Sequence, residues 1–140
     1  MTTFVIDASV AIKWVVNEPG TGKALLLRRH RLLAPDLLIP ECANILWKKV
    51  RREELSEEVA MVSAAILARS DIELEPMAGL MEQATRSSIL LGHAAYDCFY
   101  LALAMAYDCD FVTADEVLKR KVRSAGLPVK VVLLDETGSV

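Results

Sequence analysis

Cysteine and histidine are scarce in this chain, and neither is spaced for chemistry. The three cysteines, Cys42, Cys98 and Cys109, are an odd number at wide intervals, with no C-x-x-C among them. The two histidines, His30 and His93, lie far apart. This argues against a zinc site and against a disulfide framework. Also missing is a basic segment ahead of an apolar run: the chain begins MTTFVIDASV. No signal peptide is therefore expected, and free thiols without an export signal suit a reducing cytoplasm. The longest apolar run, Ile89 to Tyr107, carries His93 and Asp97. An acid near its middle disfavours a lipid-spanning helix, so the run is expected to be a buried helix, with no membrane association. There is no internal repeat, low-complexity tract or linker. A length of 140 residues, 54% of them apolar, suits a single domain over residues 1–140 with a sizeable core.

Positive charge is not in excess either, since the formal net charge is -3. Its distribution is more informative. Eleven of the 16 Lys and Arg fall in three short runs: Arg28, Arg29 and Arg31; Lys48, Lys49, Arg51 and Arg52; Lys119, Arg120, Lys121 and Arg123. Such runs suit phosphate contacts. They equally suit solvated C-terminal ends of helices, where the dipole favours cations.

Short β-branched and apolar runs alternate with helical stretches. Strands are expected at Phe4–Ile6, Leu32–Ala34, Ile72–Leu74, Phe111–Thr113 and Val129–Leu134. Between them, helices are expected at Lys23–Arg31, from Pro40 to about Glu54, from the N-cap Ser56 onward, at about Ala78–Leu91 and Ala94–Tyr107, and at Glu116–Ser124 with Gly126 as its cap. No hairpin turn joins two strands. The pattern predicts a three-layer α/β/α fold around a parallel five-stranded sheet.

Four of the 19 acids stand in apolar surroundings. Asp7 ends the first strand, Glu41 lies among Leu37, Leu38, Ile39, Cys42 and Ala43, and Asp115 ends the strand containing Phe111 and Val112. Asp97 is the lone formal charge between His93 and Tyr107. Taken singly, each has an ordinary explanation as a helix cap or a first-turn acid. Together they converge. Asp7 and Asp115 sit at carboxyl ends of strands, and Glu41 and Asp97 at N-termini of helices that open on the same edge, where open parallel sheets bind ligands. Four converging carboxylates need a counter-charge, which hard cations with oxygen ligands supply. No histidine accompanies the set, which favours Mg2+ or Mn2+ over zinc.

At these residues the sequence resembles the PIN domain family, in particular its VapC-type ribonuclease toxins. The matching segments are VIDASVAIKW (5–14), APDLLIPECANILWKKVRREELS (34–56), AAYDCFYLALA (94–104) and FVTADEVL (111–118). The resemblance implies a PIN-like fold and a metal-dependent endoribonuclease. Asp7, Glu41, Asp97 and Asp115 would be its ligands, with Ser9, Asn44 and Thr113 as polar support. It also implies a homodimer or higher oligomer and a small antitoxin partner. The chemistry expected is hydrolysis of an RNA phosphodiester by a metal-activated water. Two other acid-cluster enzymes fit poorly. An aspartyl-nucleophile phosphotransferase wants an acid two residues after Asp7, where Ser9 stands, and a receiver domain wants paired acids there and a lysine after the last strand, where Asp135-Glu136 stand. A housekeeping ribonuclease and a non-catalytic interaction module on the same fold remain as alternatives.

Overall fold

Strand β1 (Thr3–Ile6) buries Phe4, Val5 and Ile6 in succession, which only a strand covered on both faces can do. In this computed structural model, which describes residues 2–139, it occupies the centre of the sheet. The other strands are β2 (Arg31–Pro35), β3 (Glu73–Glu75), β4 (Asp110–Thr113) and β5 (Val131–Leu133). Their order is β3-β2-β1-β4-β5, and every pairing is parallel. The helices are α1 (Ala8–Ala11), α2 (Thr21–Leu26), α3 (Leu38–Arg51), α4 (Glu57–Ala68), α5 (Met81–Leu91), α6 (Ala95–Tyr107) and α7 (Glu116–Ala125), with short 3-10 turns continuing several of them. The three-layer α/β/α arrangement is the one expected. The chain steps outward from β1 to β2 and β3, then returns to place β4 on β1's other side. The switch point of the sheet therefore lies between β1 and β4.

Helix α6 packs across β1, β2 and β4. It buries Tyr100, Leu101 and Leu103, and the Tyr100 ring stacks on Phe111 of β4 at 5.8 Å. Each such fully buried side chain contributes about 1.5–3 kcal/mol. This makes α6 the main rigid support of whatever its N-terminus presents.

Several boundaries differ from the sequence pattern. Arg31 does not end a helix. It opens β2, paired with Thr3 across the sheet and joined to Glu73 through both ends of its guanidinium at 2.8 and 2.9 Å. Helix α3 stops at Arg51, short of Glu54, because Glu53 turns into the left-handed region and the Glu54 and Leu55 amides fold back onto the Lys49 carbonyl. Strand β3 is shifted one residue, to Glu73–Glu75, and its acids suit the sheet edge it forms. Strand β5 is shorter than expected at both ends: a bend occupies Pro128 and Val129, and Leu134 starts a terminal 3-10 turn. The run from Ile89 to Tyr107 is two helices, bent by 118° after Gly92 adopts φ +61. Among the described residues no single helix is long and apolar enough to cross a membrane. Ser56 caps α4 as expected, accepting from the Val59 amide at 3.2 Å.

Candidate active site

The carboxyl edge of β1 and β4 opens into a cavity of about 260 Å³ lined by Asp7, Ala8, Ser9, Glu41, Asn44, Ile45, Asp97 and Asp115. The structure thus brings all four sequence-selected acids to one place, together with Ser9 and Asn44. Thr113 lies just beneath, fully buried.

Asp7 is buried and does not cap α1 through its side chain. Its two oxygens instead accept from Ser9 Oγ at 2.5 Å and from Thr113 Oγ1 at 2.6 Å. The direction of these bonds is fixed by the backbone. Ser9 Oγ accepts from the Ala114 amide at 3.1 Å, and Thr113 Oγ1 from the Asp115 amide at 3.2 Å, so each hydroxyl hydrogen is left for Asp7. Burial pushes the Asp7 carboxyl up to about 6; the two hydroxyls and the Val10 amide offset part of the rise, and the charge of Asp97 adds to it.

Glu41 stands in the first turn of α3 and accepts from the Tyr100 hydroxyl. Burial raises its pKa, the tyrosine bond opposes the rise, and Asp97 again adds to it. The Tyr100 phenol is held well above its ordinary range by its own burial and by Glu41, so it stays a donor. Asp115 does cap α7, accepting from the Leu118 amide at 3.1 Å. For this residue the plain capping role and the place in the cavity coexist, because the cap engages Oδ1. Asp97, in the first turn of α6, makes no cap; its Oδ2 lies 2.6 Å from His93 Nε2.

His93 corrects the sequence reading, in which no histidine accompanied the acids. Ligand-capable atoms of His93, Asp97 and Asp115 lie within 4.8 Å of one another. Lys121 is 3.1 Å from the other ring nitrogen. The place of Tyr100, His93 and Lys121 beside the acids escaped sequence reasoning, although Lys121 stood out as a member of a basic run. The spacing of His93 four residues before Asp97 was the one available signal, and His93 lies just outside the helix, so helical spacing did not select it. Burial pushes the neighbouring thiols up, Cys42 to about 12 and Cys98 to about 11, which disfavours their thiolate forms.

The PIN domain model matches residues 4–123, a span that holds all four acids. The chain belongs to the PIN domain family. Among curated PIN relatives, ribonuclease VapC9 of Mycobacterium tuberculosis is 33% identical over 111 residues, covering 79% of this chain and 84% of that protein. VapC ribonuclease Mb0985 of Mycobacterium bovis matches to the same extent. The PIN fold is shared with two solved structures. PAE2754 from Pyrobaculum aerophilum superposes with a TM-score of 0.71 at 22% identity, covering 96% of this chain and 85% of that one. VapBC2 from Rickettsia felis, bound to a DNA fragment from its promoter, gives 0.66 at 12% identity, covering 94% and 98%.

The basic runs are less free than the sequence suggested. Lys49 pairs with Glu18, Arg51 stacks on Trp47, Arg28 stacks on Trp14, Arg31 is committed to Glu73 and Lys119 to Glu136. These members fit the structural alternative to phosphate binding.

Proposed function

We propose that the chain is a divalent-metal-dependent endoribonuclease, a single nuclease domain that serves as the toxin of a prokaryotic toxin–antitoxin pair. The observation that carries this reading is Asp7: a carboxylate buried at the switch point, pushed up to about 6, with a second acid close enough to raise it further. Such a group is costly unless a cation meets it. The donor set of carboxylate oxygens fits Mg2+ or Mn2+, with Asp7, Glu41, Asp97 and Asp115 as the residues that would hold it. When bound, a divalent cation supplies positive charge to the phosphoryl oxygens and acidifies a water.

The residues have separable tasks. Ser9 and Thr113 fix both oxygens of Asp7. Tyr100 fixes one oxygen of Glu41 from the core. One of the carboxylates orients the attacking water. Lys48 and Arg52, at the end of α3, remain as candidates to carry the RNA backbone. An antitoxin partner and self-association are supported by exposed apolar residues, among them Met61, Val62 and Ile66 on α4 and Met81 and Ile89 on α5. The chain's placement is proposed to be the cytoplasm, where its RNA substrate resides.

The purified chain should cleave single-stranded RNA in magnesium or manganese and stop in EDTA. Cleavage unchanged in excess chelator would overturn the metal reading. Expression of active chain should arrest growth, and a co-expressed small partner should relieve it. Harmless expression of active enzyme would favour a housekeeping ribonuclease on the same site.

A further inference from the structure

We infer that His93 and Lys121 form a positioning pair for Asp97, in which His93 is a hydrogen-bond donor and not a metal ligand. The inference rests on the reading of Asp97 as a ligand and adds the device that orients it.

His93 sits on a fixed backbone. Gly92 takes φ +61 and ends α5, the His93 amide donates to the Ser88 carbonyl at 3.2 Å, and Ser88 Oγ donates to the His93 carbonyl. The ring is largely buried, with 14% of the side chain exposed. Both its nitrogens have partners: Nε2 lies 2.6 Å from Asp97 Oδ2, and Nδ1 lies 3.1 Å from Lys121 Nζ. Lys121 Nζ also reaches the Gly92 carbonyl at 3.4 Å.

Those partners decide the tautomer. A lysine ammonium has hydrogens to give and no lone pair. Nδ1 must therefore present its own lone pair to Lys121, which leaves the ring hydrogen on Nε2, aimed at Asp97. A histidine that ligates a metal through Nε2 shows the opposite arrangement, with Nδ1–H donated to a carbonyl or carboxylate. The close grouping of His93, Asp97 and Asp115 thus looks like a mixed nitrogen–oxygen site but lacks the nitrogen lone pair. What it does have is an anchor. One Asp97 oxygen is held by the imidazole, the carboxylate's rotation is fixed, and its other oxygen is left free. Lys121 places a positive charge one ring away from Asp97.

The test has two independent readouts. Long-range proton–nitrogen spectra of the nitrogen-15-labelled chain identify the His93 tautomer, with signals assigned by their loss in His93→Gln. Nε2–H is expected both without metal and in saturating Mg2+. The Nδ1–H form in Mg2+, or a doubly protonated ring, overturns the inference. Calorimetric Mn2+ titration supplies the second readout, on variants whose melting curves show them folded. His93→Ala should bind Mn2+ about 10–100-fold more weakly, the usual loss for a partner that orients a ligand. His93→Gln, which keeps an N–H donor, should recover most of that loss. Lys121→Met should release the tautomer and fall between. Wild-type affinity in His93→Ala, or a His93→Gln as weak as His93→Ala, overturns the positioning role. A wild-type chain that binds no Mn2+ overturns the metal reading itself, and the tautomer spectrum still decides the pair.

Discussion

Asp7 and Glu18 are eleven residues apart, and the molecule treats their charges in opposite ways. Glu18 lies between two lysines, with Lys13 Nζ at 3.0 Å and Lys49 Nζ at 3.2 Å. Burial pushes its carboxyl up, but the two ammonium groups more than offset that and hold it below the ordinary glutamate range. Asp7 receives hydroxyls where Glu18 receives cations, and its nearest charged influence is another acid. The first region is a finished ion-pair network that ties the loop after α1 to α3. The second has hydroxyl donors but no cation paired to Asp7 among the described residues, the gap that the proposed metal would fill. A buried acid met only by hydroxyls, beside a half-buried acid met by two lysines, separates a site from a support.

The largest break in that comparison should come from Asp97→Asn. Ribonuclease activity should fall by more than about a hundredfold, beyond the loss typical of a supporting partner. The asparagine oxygen can still accept from His93, so the fold should survive. Without metal the variant should melt higher than wild type, because one repelling charge is gone. Manganese at a hundred times its Kd should stabilise wild type by about 2.7 kcal/mol and the variant far less. Equal metal-induced shifts would sink the assignment of Asp97 as a ligand.

The next effect is a pH dependence of opposite sign in the two regions. Between the ordinary value of 3.8 and about 6, the folded chain holds a proton on Asp7 that the unfolded chain has released. Metal-free stability from this group is therefore greatest at low pH and falls as pH rises through that window, by roughly 2–3 kcal/mol. Denaturant melts of wild type and Asp7→Asn should diverge in the variant's favour from pH 4 to pH 7. In saturating manganese the metal-induced gain should instead grow with pH, since the metal needs the carboxylate. Glu18 behaves conversely: its contribution is present above the usual glutamate range and is lost as pH falls through its depressed folded value. A pH-independent difference between wild type and Asp7→Asn would mean that Asp7 is not the strained group.

Glu18→Gln should then cost about 1–2 kcal/mol, from weakened hydrogen bonds to two charged donors. It should leave manganese affinity untouched. A loss of metal binding in this variant would show that the two regions are coupled, and would erase the distinction between site and support.

The smallest effect concerns RNA. Changing Lys48 and Arg52 together to Gln should raise KM with little change in kcat. For every phosphate interaction these changes remove, the log–log salt dependence should flatten by about 0.7 in slope. Lys49 is left in place because its removal would disturb Glu18. A salt slope identical to wild type would assign this end of α3 to solvent alone.

How far the sequence could be read depended on the range of the interaction. The strands were legible from runs such as Phe4-Val5-Ile6, whose burial on both faces is written in consecutive residues. The acids were legible because a charge in an apolar context is conspicuous wherever the chain goes. Asp115 shows the limit: it is both a cap and a wall of the cavity, and local sequence supports each role equally. The basic runs misled for the same reason. Lys49 and Lys119 look like free surface charge until the fold supplies Glu18 and Glu136.

By itself the sequence determined the alternation of strand and helix, the parallel sheet, and the four carboxylates that meet at its edge, because periodicity and misplaced charge are properties of neighbouring residues. Only the tertiary structure decided which partner each carboxylate has. Thr113 lies 106 residues from Asp7, Tyr100 lies 59 from Glu41, and Lys121 lies 28 from His93. No local pattern encodes such pairs. They exist because β1 and β4 lie side by side, α6 crosses them and α7 packs against α5, so hydrogen-bond direction at the site follows from chain topology rather than from any segment of the chain.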